Sequence, residues 1–215
     1  MTDGTPSLVR LTEVDAERAG AKLARAFATD PLFAYMLPDV ETRRRLFPWW
    51  FATCVRYGCQ CGDVWAVVNG PDRDLLGIAI WLRLPDGDFT PERLERAGFG
   101  AAPEVIGEAA WKRLATANGY MDETQAQVVP PPSLYLLQLG IEPDHQGRGL
   151  GGFLLRRFLA AAQDAGLAAC LGTFEPNNVG FYRRHGLEVV ADEVEPASQL
   201  RFWIFGRGLG APALD

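Results

Sequence analysis

Metal-binding residues are scarce in this chain. It has two histidines, His145 and His185, and four cysteines, Cys54, Cys59, Cys61 and Cys170. The three close cysteines form neither a C-x-x-C pair nor half of a doubled motif, so no metal is expected. Reduced cysteines packed as small apolar side chains are expected instead. No apolar run approaches the roughly eighteen residues of a membrane span, so no membrane partner is expected. The opening MTDGTPSLVR lacks the charged-then-apolar pattern of a secretory leader, which makes the cytoplasm the default location. Positive charge is in deficit too. Lys and Arg number 21 against 27 Asp and Glu, giving a net charge of −6 and a pI near 5.0. That balance argues against a protein that tracks nucleic acid by bulk charge. Arginines do cluster, at Arg43, Arg44 and Arg45 and at Arg183 and Arg184, and both groups read as solvated helix faces. No linker rich in Pro, Gly or Ser and no internal repeat divides the chain, so residues 1–215 are expected to form one domain.

What is present is core-forming material. Hydrophobic residues make up 48% and charged ones 22%, as in a soluble protein with a sizeable interior. Ser7 to Leu11 reads as a short strand. Ala16, Ala19, Leu23, Ala26 and Phe27 then recur at helical spacing, predicting a helix over Thr12 to Ala28 capped by Thr12 or Asp15. The proline-bounded Thr29 to Asp39 reads as a turn or short helix that either lines a pocket or packs in the core. A second long helix is predicted over Glu41 to Gly58. Strands follow at Cys61 to Val68 and Leu75 to Leu84, joined by the turn Asn69-Gly70-Pro71-Asp72. Pro91 to Ala97 and Pro103 to Met121 read as helices that start on prolines. Phe99, Trp111, Tyr120 and Met121 face either a substrate cavity or a core. Further strands are predicted at Leu167 to Thr173, Leu187 to Val194 and Leu200 to Phe205, and a short helix at Val179 to His185.

One stretch carries the strongest chemical signal. Leu134 to Ile141 is a short apolar run preceded by Pro130, Pro131 and Pro132, and it reads as a buried strand. Glu142-Pro143-Asp144-His145 ends it. Gln146-Gly147-Arg148-Gly149-Leu150-Gly151-Gly152 follows, and Leu150, Leu154, Phe158, Ala161 and Ala165 open a helical face at once. Arg157 intrudes on that face and is read as a snorkelling side chain. Strand, glycine-rich turn and helix make an anion site, because glycine lets the backbone come close and the first helical turn offers unpaired N–H groups. The spacing is not that of a P-loop, which needs Lys then Ser or Thr, nor of the Rossmann G-x-G-x-x-G.

Gln146-x-x-Gly149-x-Gly151 after a strand resembles the pyrophosphate loop of the GNAT superfamily of acyl-CoA N-acyltransferases. A second stretch, Asn178-Val179-Gly180-Phe181-Tyr182-Arg183-Arg184-His185-Gly186-Leu187, resembles the family's segment before its sixth strand. Within the superfamily the two stretches look most like puromycin N-acetyltransferase and its bacterial relatives. The resemblance implies an α/β GNAT fold: a mixed central β-sheet of about seven strands flanked by helices, with a helical insertion before the fourth strand.

It also implies acetyl-CoA as cosubstrate and direct transfer of the acetyl group to a primary amine of a small molecule. Leu139, Gly140 and Ile141 would pair with the pantetheine arm, and the Leu139 N–H would polarise the thioester. Gln146, Gly147, Arg148, Gly149, Leu150, Gly151 and Gly152 would hold the pyrophosphate. Asn178 would bond the arm, and Tyr182 would protonate the departing thiolate. A phenol stays protonated at neutral pH, which suits that role. Glu175, Glu142 and Asp30 are the candidates for the base that takes the amine's proton, and Glu175 is paired with Tyr182 as the catalytic set. Relatives often carry a Glu within the fifth strand, where this chain has Gly172. His185 is read as structural. A homodimer is compatible with this reading. A non-catalytic acyl-CoA-binding regulator and a protein or peptide N-acetyltransferase are the alternatives.

Overall fold

A computed structural model describes residues 6–70, 74–129 and 131–208. The strands are β1 (Ser7–Arg10), β2 (Gly62–Asn69), β3 (Asp74–Leu84), β4 (Ser133–Ile141), β5 (Ala168–Thr173), β6 (Glu188–Val194) and β7 (Arg201–Arg207). The helices are α1 (Ala16–Ala26), α2 (Pro31–Met36), α3 (Val40–Cys61), α4 (Pro91–Ala97), α5 (Ala102–Ile106), α6 (Glu108–Val128), α7 (Leu150–Asp164) and α8 (Asn177–Arg184). The strands form one mixed sheet in the order β1-β2-β3-β4-β5-β7-β6. Every neighbouring pair is antiparallel except β4 and β5.

Both faces of the sheet are buried, and strand alternation sorts the side chains between them. On β3, Ile78, Ile80 and Leu82 face a core that includes Leu23 of α1, Phe47 and Phe51 of α3, and Leu114 of α6. Ala79 and Trp81 face the other core, with Leu154, Leu155 and Phe158 of α7. This explains why β3 reads as an uninterrupted apolar run. Close packing fixes small residues where helix meets helix. A Cβ at Gly20 of α1 would lie 2.7 Å from Ala52 Cα of α3.

The helical insertion lies between β3 and β4, as expected, but Pro103 to Met121 is two helices. Gly107 takes φ +89° and ψ 141°, which ends α5 and starts α6 in a new direction. A helix cannot run through that conformation, and glycine adopts it at little cost. The second helix then continues to Val128, beyond the expected end. Arg43 also departs from the solvated reading. It is buried and donates to the carbonyls of Ala28, Leu37 and Pro38, tying down both ends of the α2 segment, while Arg44 and Arg45 are exposed. Arg157 spreads its guanidinium over the Trp65 ring, 4.5 Å from the centroid, a cation–π contact that accounts for a charge on an apolar face. Cys54 and Cys170 are buried, and all four cysteines are free. Pro71, Asp72 and Pro130 lie outside the described residues.

Candidate active site

β4 and β5 pair only at their starts, Ser133 to Tyr135 against Ala168 to Cys170. Beyond Tyr135 they part. The register of β4 against β3 jumps from Ile80–Gln138 to Trp81–Leu136, which makes Leu137 an extra residue on β4. A bulge of this kind bends its strand, and here it steers β4 away from β5. The Glu142 N–H donates to Leu76 O across the β3 side. By strand alternation, the N–H groups of Leu139 and Ile141 point to the opposite edge, where β5 no longer pairs.

Two cavities open at this split. One, of about 630 Å³, is bordered by Leu139, Gly140, Ile141, Gln146, Gly147, Gly149, Leu150, Gly151, Gly152 and Asn178, together with Tyr182 and Glu175. These are the expected site residues except Arg148, whose side chain is exposed and off the lining. Arg156 is an unforeseen cation on the lining, and the imidazoles of His145 and His185 border the cavity too. Arg156 stands four residues after Gly152 and hence on the same face of α7. That spacing was a readable signal. His185 donates Nδ1–H to Phe181 O at 2.8 Å, so it braces α8 as well as bordering the cavity.

The loop earns its glycines through conformation. Gly147 and Gly149 have φ of +73° and +80°, and open space surrounds the position of a Cβ at each. Left-handed backbone, rather than crowding, excludes other residues there. Gly149 is the N-cap of α7 and supplies no side-chain cap. The first-turn N–H groups therefore face the cavity, where an anion would satisfy them. Gln146 Nε2 donates to Ile141 O at 3.1 Å and closes the loop back onto β4. An uncapped helix end, a glycine loop and the Arg156 guanidinium together make an anion-binding surface.

The other cavity, of about 350 Å³, lies under the insertion between α2, α3, α4 and α6. Its walls include Phe33, Trp50, Phe89, Phe99 and Trp111. Phe99, Trp111 and Met121 thus serve as core and cavity wall at once. Arg113 holds α6 against α2 through Met36 O, at 2.7 and 3.1 Å. A Cβ at residue 172 would run into Met121 Sδ, so the insertion packs directly on Gly172.

Five residues border both cavities: Phe27, Asp30, Leu139, Asn178 and Tyr182. Tyr182 is buried, its ring against Phe205 and Phe181 at 5.2 Å each. Burial, with Asp30 nearby, pushes its phenol well above the ordinary value. Asp30 caps α2, accepting from the N–H groups of Leu32 at 3.0 Å and Phe33 at 3.4 Å, both on Oδ1. Burial raises its acid to about 6, assisted by the facing Glu175 charge and opposed by the two N–H bonds. Asn178 Nδ2 donates to Thr173 Oγ1 at 3.4 Å, which fixes its amide at the end of β5.

The other two candidate bases are engaged. Glu142 holds Arg25 at 2.5 and 2.6 Å and Lys22 at 3.2 Å. Burial works to raise its acid, but those bonds outweigh it and hold the carboxyl below the ordinary glutamate value. Glu142 is part of a structural ion-pair network. Glu175 accepts from the Asn177 N–H at 2.9 Å, capping α8, and borders only the glycine-loop cavity.

Residues 98–189 match the sequence model of the acetyltransferase (GNAT) domain. Among solved structures, the chain is similar to the histone acetyltransferase HPA2 and related acetyltransferase of Corynebacterium glutamicum, at 19% identity and TM-score 0.66, covering 98% of this chain and 99% of that one. It is similar to arylalkylamine N-acetyltransferase 2 of Aedes aegypti, at 11% identity and TM-score 0.64, covering 95% and 99%. The polyamine N-acetyltransferase of Drosophila melanogaster matches at 14% identity and TM-score 0.61, covering 95% and 100%. The chain has the fold of the GNAT acetyltransferases, and the match to their domain model takes in the insertion after α4 and the glycine loop.

Proposed function

We propose that this protein transfers the acetyl group of acetyl-CoA directly to a primary amine of a small molecule. The observation that carries this reading is the junction. The cavity bordered by the glycine loop and the aromatic-walled cavity meet at five residues, Tyr182 and Asp30 among them. In this reading Arg156, His185 and the first turn of α7 bind the pyrophosphate, and Asn178 bonds the arm. The Leu139 N–H donates to the thioester oxygen as it gains negative charge.

The amine nitrogen forms its bond to the acetyl carbon as the carbon–sulfur bond breaks. Tyr182 gives its phenolic proton to the departing sulfur, a role supported by a phenol held fully protonated at working pH. Asp30 takes the proton lost by the amine. Its position on both cavities and its acid near 6 favour it over Glu175, which acts on it through charge. A cavity of about 350 Å³ suits a small acceptor. The polyamine and arylalkylamine N-acetyltransferases whose fold it shares are named for acceptors of this kind. Puromycin and other aminonucleosides belong among the candidates on the resemblance of the two motif stretches.

The test is thiol release from acetyl-CoA against aminonucleosides, arylalkylamines, polyamines, aminoglycosides, amino acids and basic peptides. A small-amine hit is expected. Acetyl-CoA binding with no turnover on any amine would overturn the enzymatic reading in favour of a regulator, and a hit confined to peptides would overturn the acceptor class.

A further inference from the structure

The aromatic cavity holds no Lys, Arg or His among the described residues. Its two charged members are both carboxylates, Asp30 at the junction and Asp122 on α6. Helical spacing puts Asp122 there: Trp111, Leu114, Asn118 and Asp122 follow at steps of three and four, so one stripe of α6 faces the cavity. Asp122 does not border the glycine-loop cavity, which sets it apart from the reacting end. Asp122 keeps an exposed side chain while lining the cavity; the surrounding protein pushes its acid up to about 7, and no salt bridge or hydrogen bond among the described residues engages it. On the walls, Gln138 Oε1 and Trp50 Nε1 also lack protein partners. A carboxylate that lines a cavity without basic residues is open to a cation brought by a ligand.

We propose that the cavity takes an aromatic amine bearing a second cationic group, and that Asp122 receives this second cation while Asp30 attends the reacting nitrogen. The turnover part rests on the acetyltransferase reading; the binding part does not. The walls favour a ring. Trp50 meets Phe99 edge to face at 5.1 Å and leans toward Trp111 at 6.2 Å, a geometry that receives a further ring well. A longer aliphatic polyamine would forgo those contacts and bring charges that the two carboxylates leave unmatched.

Benzylamine and p-xylylenediamine test this, since they share a ring and differ by one aminomethyl group; 1,4-diaminobutane is the ringless control. Thiol release is measured at pH 8, where Asp122 is ionised. In the wild type, kcat/KM for p-xylylenediamine should exceed that of either other amine by at least about tenfold. Asp122→Asn should bring the ratio to benzylamine near one, the loss falling on the diamine's KM. Equal rates for the two aromatic amines in the wild type, or an unchanged ratio in the variant, would overturn the proposal. The wild-type comparison stands even if the variant fails to fold. Titrating the fluorescence of Trp50 and Trp111 with the same amines, without acetyl-CoA, separates this idea from the one beneath it. Diamine binding that depends on Asp122 but gives no thiol release would sink the acetyltransferase reading alone. Thiol release without diamine preference would sink this one alone.

Discussion

The largest single share of the glycine-loop cavity's lining comes from one continuous stretch, Leu139 to Gly152, with additions from α8, from Arg156 of α7 and from the segment Ala26 to Asp30. The aromatic cavity draws a few residues each from α2, α3, α4, α6, β4, β5 and α8, with Phe27 just after α1. The first is largely a backbone device: left-handed glycines, an uncapped helix end and a free strand edge. The second is a side-chain device, in which bulky aromatics from separate helices set the shape and two carboxylates set the charge. Backbone devices need particular residues at fixed spacing, so they leave a motif. Side-chain devices need only that distant elements pack at the right angle, so they leave none.

This contrast can be broken from the donor side first. Gly149→Asp places a side chain at φ +80° and a negative charge at the positive end of α7. Acetyl-CoA affinity by calorimetry should fall by more than about 100-fold, while amine-induced tryptophan quenching persists. Unchanged acetyl-CoA affinity would refute the loop assignment. Tyr182→Phe addresses the junction itself. It should lower kcat about 100-fold and leave the acetyl-CoA Kd within about twofold. A wild-type rate at every pH would remove Tyr182 as the acid.

Asp30→Asn separates the two cavities' shared base from its structural duty. Asparagine also caps helices, so α2 should survive. The wild-type rate should fall as pH drops through about 6, because the carboxylate then carries a proton and cannot accept one. The variant should be roughly 10- to 100-fold slower above pH 7 and should lose that limb of the profile. A limb that persists would point to another base. Gly172→Val sharpens the comparison from the acceptor side. The new side chain meets Met121, and overpacking of this kind costs about 1–3 kcal/mol. The acceptor KM should rise about three- to tenfold, with acetyl-CoA affinity unchanged; equal effects on both would show that the cavities are not separable.

Much of the fold was legible because its periodicities are strong. The apolar runs of β3 and β4, the heptad-like face of α7, and the proline start of α4 all appear where they were expected. The breaks were harder. Gly107 looked like one glycine within a helix, and only its neighbours' packing turns it into a change of direction. Arg43 looked like its neighbours Arg44 and Arg45, yet two of the carbonyls it meets, on either side of α2, come from six and fifteen residues away. Glu142 looked free, but its partners Arg25 and Lys22 lie more than a hundred residues back along the chain.

By itself the sequence determined the glycine-loop half of the candidate site, because glycine conformation, strand ends and helix starts are local properties fixed by a few adjacent residues. Tertiary structure alone decided which carboxylate shares both cavities with Tyr182, that Arg156 rather than Arg148 is the lining cation beside the glycine loop, and that Asp122 lines an aromatic cavity with no ion-pair partner among the described residues. Those outcomes depend on the Leu137 bulge, which parts β4 from β5, and on the insertion, which α6 swings over the gap. Burial and charge proximity are properties of the assembled packing, and no run of neighbouring residues encodes them.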